Sequence, residues 1–226
     1  MTKNNLQTNQ KIGKALINGT FILLLFFLLM QLLMFFVPTF KFTYSFISHS
    51  LLTVVGPVTF VFIVAMLWKK EKPKLSIGKG VFLLLGLTLL NFAISLIMIA
   101  VVDRFSPAVD NPIGSTSVSI LDILNLVWSL AGEEAVKLAS FFVLYKGVRY
   151  DKNRKKQYWL VWLVVSLLFG LLHLTTYDFN FLQCIFAIGV PSIIDGYLWK
   201  KTERPLMMLS AHVLFDMIII GLSSLG

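Results

Sequence analysis

The chain has 226 residues, 57% of them hydrophobic and only 14% charged, with a mean hydropathy of +0.82. Soluble domains carry about 25% charged residues, so soluble cytoplasmic and extracellular classes are excluded and an all-α polytopic membrane helix bundle is expected. The formal net charge of +9 does not point to nucleic acid, because the basic residues stand between apolar stretches, as topology determinants do.

Read in chain order, the polar, basic start "MTKNNLQTNQKIGKALINGT" leads into an apolar segment. That segment is about 18 residues long, too long for a signal-peptide core, and no small-residue cleavage site follows it, so it reads as a retained first span. Seven segments approach the roughly 20 apolar residues a membrane helix needs. They are 15–37, 44–68, 80–102, 117–145, 157–175, 180–199 and 205–223. The fourth is long, and Gly189 and Pro191 can kink the sixth. The first three spans form an N-terminal region, 1–116, and the last four a core, 117–226. With the N-terminus in the cytoplasm, 17 of the 20 Lys and Arg residues fall inside. Lys41 and Arg104 then lie outside and Lys137 lies within the membrane. That asymmetry predicts about seven transmembrane helices and an outside C-terminus. Cys184 is the single cysteine. It offers no disulfide framework and reads as a small buried residue.

A few ionisable residues remain inside these spans. Glu133, Glu134 and Lys137 lie on the fourth, in "LAGEEAVKLASFF". His173 lies on the fifth, and His212 and Asp216 on the seventh. A charge at the centre of a bilayer helix costs roughly 2.5–3.5 kcal/mol on insertion scales, so such residues mark functional sites by default. At about 1.5 Å rise per residue, Glu133 stands roughly 20 Å above the cytoplasmic end of its span. On the same count His173 stands at roughly 24 Å, Asp216 at roughly 18 Å and His212 at roughly 12 Å. Groups on three helices thus share a slab near mid-membrane. His212 and Asp216 are i and i+4 and share a helix face, as do Phe169 and His173. Glu133 and Lys137 have the same spacing and suit an ion pair, while Glu134 points about 100° away from Glu133. Gly170 lets a neighbouring helix approach closely. Asp195, Asp122 and His49 read as an interfacial charge, helix-end polarity and an ordinary polar residue.

A carboxylate and two imidazoles in a water-excluded site can hold a water molecule or a divalent ion. Glutamate can act as general base toward that water. Histidine and aspartate can ligate zinc, which lowers the pKa of bound water to about 7. Either arrangement makes a nucleophile for amide hydrolysis. There is no His-Glu-x-x-His motif.

At these residues the sequence resembles the CPBP (Abi) family of CAAX-protease and bacteriocin-processing intramembrane endopeptidases. That family carries Glu-Glu-x-x-x-Arg, Phe-x-x-x-His and His-x-x-x-Asn on separate helices. "FGLLH", Phe169 to His173, matches the second, and "HVLFD", His212 to Asp216, matches the third with Asp for Asn. The first departs: "EEAVKL" has Leu138 at the arginine position, with Lys137 one residue earlier, closer to PrsW-type membrane proteases. The resemblance covers roughly residues 117–223.

It implies that Glu133 activates water, with Glu134 as a supporting carboxylate. His173 and His212 would bind a metal, or hold the water and the oxyanion, and Asp216 would ligate or orient beside His212. The metal set it implies is His173, His212 and Asp216, with Glu133 a further candidate and zinc the expected ion. The implied substrate is a peptide or membrane protein, in contact with membrane lipids at a bacterial plasma membrane. A non-catalytic immunity or partner protein of the same fold is the alternative. Polar residues acting only as structural glue, and a proton-coupled carrier, are two further readings.

Overall fold

The computed structural model describes residues 3–37, 41–68, 75–111, 119–147 and 153–223, and every regular element among them is helical. The elements are α1 (Lys3–Phe36), α2 (Lys41–His49), π1 (Ser50–Val55) and α3 (Gly56–Trp68). There follow α4 (Ile77–Val102), α5 (Ile120–Gly147), α6 (Arg154–Leu171), π2 (Gln183–Gly189), α7 (Ile193–Thr202) and α8 (Pro205–Ser223). Because α2, π1 and α3 run without a break, these elements reproduce the seven expected segments in order.

Among the described residues four stretches are long and apolar enough to cross a membrane: Gln10–Phe36, Thr43–Trp68, Ile77–Val102 and Pro205–Leu222. The other three predicted spans differ for visible reasons. α5 is long enough at 28 residues but carries Asp122, Glu133, Glu134 and Lys137. α6 opens on Arg154, Lys155 and Lys156 and stops at Leu171, short of the expected 175. The sixth divides into π2 and the ten-residue α7, with turns at 190–192 around Pro191, so the expected kink is a break. Lys69, Lys70, Lys72, Lys74, Arg149 and Lys152, on which the expected orientation partly rests, lie outside the described residues.

Helix ends follow local chemistry. Ser119 and Asp122 form a reciprocal capping box at the start of α5: the Ser119 amide and hydroxyl donate to Asp122 Oδ2 (2.9 and 2.6 Å), and the Asp122 amide donates to Ser119 Oγ (3.3 Å). This matches the helix-end reading of Asp122. Asn153 Oδ1 accepts the amides of Lys155 and Lys156 and caps α6. α7 ends on Glu203 in the left-handed region (φ 50°), and Pro205 opens α8.

The chain forms two compact units. One comprises Met1–Lys72 and Trp128–Val161, the other Pro73–Val127 and Trp162–Gly226. In the first, α1 packs on α2, π1 and α3. Thr20 and Thr59 share a buried 2.8 Å hydroxyl bond there, and the Phe27 and Tyr44 rings lie 5.2 Å apart. Phe141, Tyr145 and Tyr158 cluster between α5 and the start of α6. In the second, α4 packs on π2, α7 and α8. Leu84, Leu198 and Ala211 form its core, and Phe92 meets Phe215 edge to face at 5.9 Å. Buried polar residues (Thr20, Gln31, Thr59, Lys137) occur beside exposed large apolar ones (Phe36, Trp68, Phe82), the pattern of a chain whose outer solvent is lipid.

Candidate active site

In the first unit, the glutamate pair begins one residue after a close backbone crossing. A methyl group at Gly132 would collide with the Leu52 carbonyl oxygen of π1 and lie 2.9 Å from its carbonyl carbon. At Gly56 it would lie 2.7 Å from Gly132 Cα. Only glycine lets α5 lie this close to π1. Hydroxyls support the π-turns: Ser50 and Thr53 donate to the carbonyl oxygens of Phe46 and His49, four residues back. The Thr53 carbonyl accepts the Trp128 indole N–H at 2.8 Å. π-turns occur frequently at functional sites.

Past this crossing, Glu134 is fully buried and Glu133 is half-buried. Lys137, also buried, places Nζ 2.6 Å from Glu134 Oε1. This buried ion pair joins i and i+3, a partner that the Glu133–Lys137 spacing did not point to. Leu138, at the motif's arginine position, has 0% exposure. The cation beside it, Lys137, stands one residue earlier on the helix and pairs with Glu134.

In the second unit, Gly170 plays the matching part. A methyl there would collide with the Cys184 carbonyl oxygen of π2 and lie 2.9 Å from Gly189 Cα, so the expected close approach is present. Cys184 is a buried free thiol, as expected. Three residues on, His173 is not helical. α6 ends at Leu171, the chain turns through 172–179, and Asp178 and Phe179 are left-handed (φ 48° and 58°). Leu174, Tyr177 and Cys184 anchor this turn.

The early helix end has a chemical consequence. The His173 amide bonds to the Gly170 carbonyl at 3.1 Å rather than to that of Phe169. The Phe169 carbonyl oxygen accepts the Leu172 amide at 3.1 Å and also lies 3.0 Å from His173 Nδ1. With Nδ1–H donating, the imidazole is fixed in orientation and its basic lone pair is on Nε2.

Phe169, 5% exposed, joins the two histidine motifs. Its ring meets His173 at 5.0 Å and His212 at 5.8 Å, both near perpendicular. Such edge contacts are worth about 0.5–1.5 kcal/mol each. Asp216, one turn beyond His212 on α8, is buried.

Residues 123–218 match the family model described as type II CAAX prenyl endopeptidase Rce1-like. The chain carries an Rce1-like segment. The match covers all three motifs and lies inside the core expected at 117–226. No curated protein and no solved structure matches the chain.

The Rce1-like segment thus brings His173 and His212 onto one phenyl ring, and buries Glu134 and Asp216. His173, His212 and Asp216 do not gather as a metal-ligand set: among the described residues no group of three His, Cys, Asp or Glu side chains is placed to hold an ion. Gly132 and Tyr177 escaped the sequence reading. Gly132 could have been found as the small residue directly before the glutamates. Tyr177 (6.4 Å from the His173 ring) could have been found four residues after that histidine.

Proposed function

We propose that the chain is an intramembrane endopeptidase that cleaves a membrane-associated peptide or protein by activating water with glutamate and histidine. The observation that carries this reading is Phe169, holding both motif imidazoles on its ring inside a segment that matches a peptidase family. Glu133 takes a proton from the attacking water as general base. His173 Nε2 accepts a hydrogen bond from that water. The oxygen adds to the scissile carbonyl, and an imidazole N–H of His212 stabilises the developing oxyanion. Collapse breaks the C–N bond, and the protonated Glu133 returns its proton to the leaving amine. Glu134, neutralised by Lys137, keeps the local charge near that of one carboxylate. Asp216 orients His212.

No step here runs through a metal. Metal analysis of purified protein decides whether an ion joins the histidines. Stoichiometric zinc whose removal abolishes cleavage would add one, and a fully active metal-free sample would rule it out.

We place the activity in a bacterial plasma membrane, on the basis of the resemblance. A second reading, a non-catalytic immunity or partner protein of the same fold, draws on Leu138, a fully buried apolar residue at the motif's arginine position. Mapping of protein termini separates the two. Membranes containing equal amounts of wild type, Glu133→Gln or His212→Ala are compared, and at least one new terminus should appear with wild type alone. Identical termini in all three, with biological activity retained, would favour the partner reading.

A further inference from the structure

A groove of about 450 Å³ opens on the second unit, where the start of α4 lies beside the end of α7. Its walls are mostly apolar, with Leu75, Phe82 and Leu83 on the α4 side and Tyr197 on α7. Two lysines line it, Lys79 and Lys201, and no acidic residue does. Both are exposed, and Lys201 Nζ lies 5.3 Å from the Tyr197 ring centroid. A methyl group at Gly78 would meet nothing within 4 Å, so the groove floor is open there.

Depth explains this combination. Lys79 stands in the first turn of α4, a membrane-length helix, and Lys201 in the last turn of α7. Lys79 therefore stands at the end of a membrane-length helix, where a span leaves the hydrocarbon, and Lys201 lines the same groove. Just below, Phe82 is 81% exposed. A free anion would match the lysines and leave Phe82 and Leu83 uncovered. A neutral lipid would cover the rings and leave two cations unanswered.

We infer that this groove binds an anionic phospholipid, its phosphate between Lys79 and Lys201 and an acyl chain along Phe82 and Leu83. The site uses none of the residues assigned to peptide hydrolysis. It also requires the start of α4 and the end of α7 to share one membrane face, as the charge asymmetry of the sequence predicts.

Native mass spectrometry of the full-length protein, titrated with phosphatidylglycerol and with phosphatidylcholine, tests the inference. Each basic residue near a charged lipid contributes enough for about a fivefold change in affinity. Lys79→Gln or Lys201→Gln should therefore weaken phosphatidylglycerol binding about fivefold, and the pair roughly thirtyfold. The double Lys→Arg variant should retain binding, and Arg154→Gln with Lys155→Gln, a control elsewhere on the surface, should change it less than twofold. The inference is overturned if phosphatidylcholine binds wild type as tightly, or if the control weakens binding as much as the groove variant. Glycerol phosphate binding as tightly as the whole lipid would also overturn it, by showing that the tail adds nothing.

Discussion

Gly132 and Gly170 use one backbone device for two kinds of chemistry. Each lies where a helix carrying a motif presses against a π-helix, and at each a methyl group would collide with a carbonyl oxygen. Beyond Gly132 the chain buries charge, and a 2.6 Å ion pair between Lys137 and Glu134 makes that tolerable. Directly before Gly170 it buries the Phe169 ring, and edge contacts from two imidazoles hold the arrangement. The close crossing fixes the backbone in both regions, but the side chains answer to different forces. The first region should be sensitive to loss of charge and the second to loss of shape.

The largest effect is expected in the charged region. Lys137→Ala leaves Glu134 buried without its cation and should destabilise the protein by about 3–5 kcal/mol, read from unfolding in an SDS titration. Lys137→Arg should recover most of this. If Lys137→Ala is neutral, burial of the pair does not govern the region. Next come Gly132→Ala and Gly170→Ala. Overpacking a filled site costs about 1–3 kcal/mol, and because backbone stands in the way at both positions, both variants should fall at the upper end. A large loss at one glycine and none at the other would end the analogy between the two crossings. Phe169→Leu should cost about 1 kcal/mol in stability through its lost ring edges, yet reduce turnover more than its stability loss accounts for. Equal losses in both would make Phe169 a packing residue only. The smallest effect is set away from both crossings: a double-mutant cycle on Thr20→Val and Thr59→Val should give a coupling of about 0.6 kcal/mol.

Much of this was legible in the sequence because hydropathy and charge act along the chain. α8 matches its predicted limits, 205–223, and the fourth segment, expected at 117–145, is α5 at Ile120–Gly147. What was hidden depends on neighbours distant in sequence. Neither π-helix has a period of its own, because each forms where a glycine on another helix brings backbone against backbone. His173 was expected on a helix at i+4 from Phe169, yet its packed turn ends the helix first, and the Phe169 carbonyl accepts both the Leu172 amide and the imidazole. Lys137 was expected at i+4 from Glu133, and its 2.6 Å contact with Glu134, at i+3, was not foreseen. Phe169 was visible only as a neighbour of His173. Its contact with His212 joins residues of α6 and α8 that no local sequence spacing relates.

The most direct test of the central claim is the rate at which reconstituted protein hydrolyses the substrate found by terminus mapping. General-base catalysis contributes about 10²–10⁴-fold. Glu133→Gln, matched to wild type in folded amount, should therefore lose at least about 100-fold in turnover. Hydrolysis at the wild-type rate in Glu133→Gln would contradict the account.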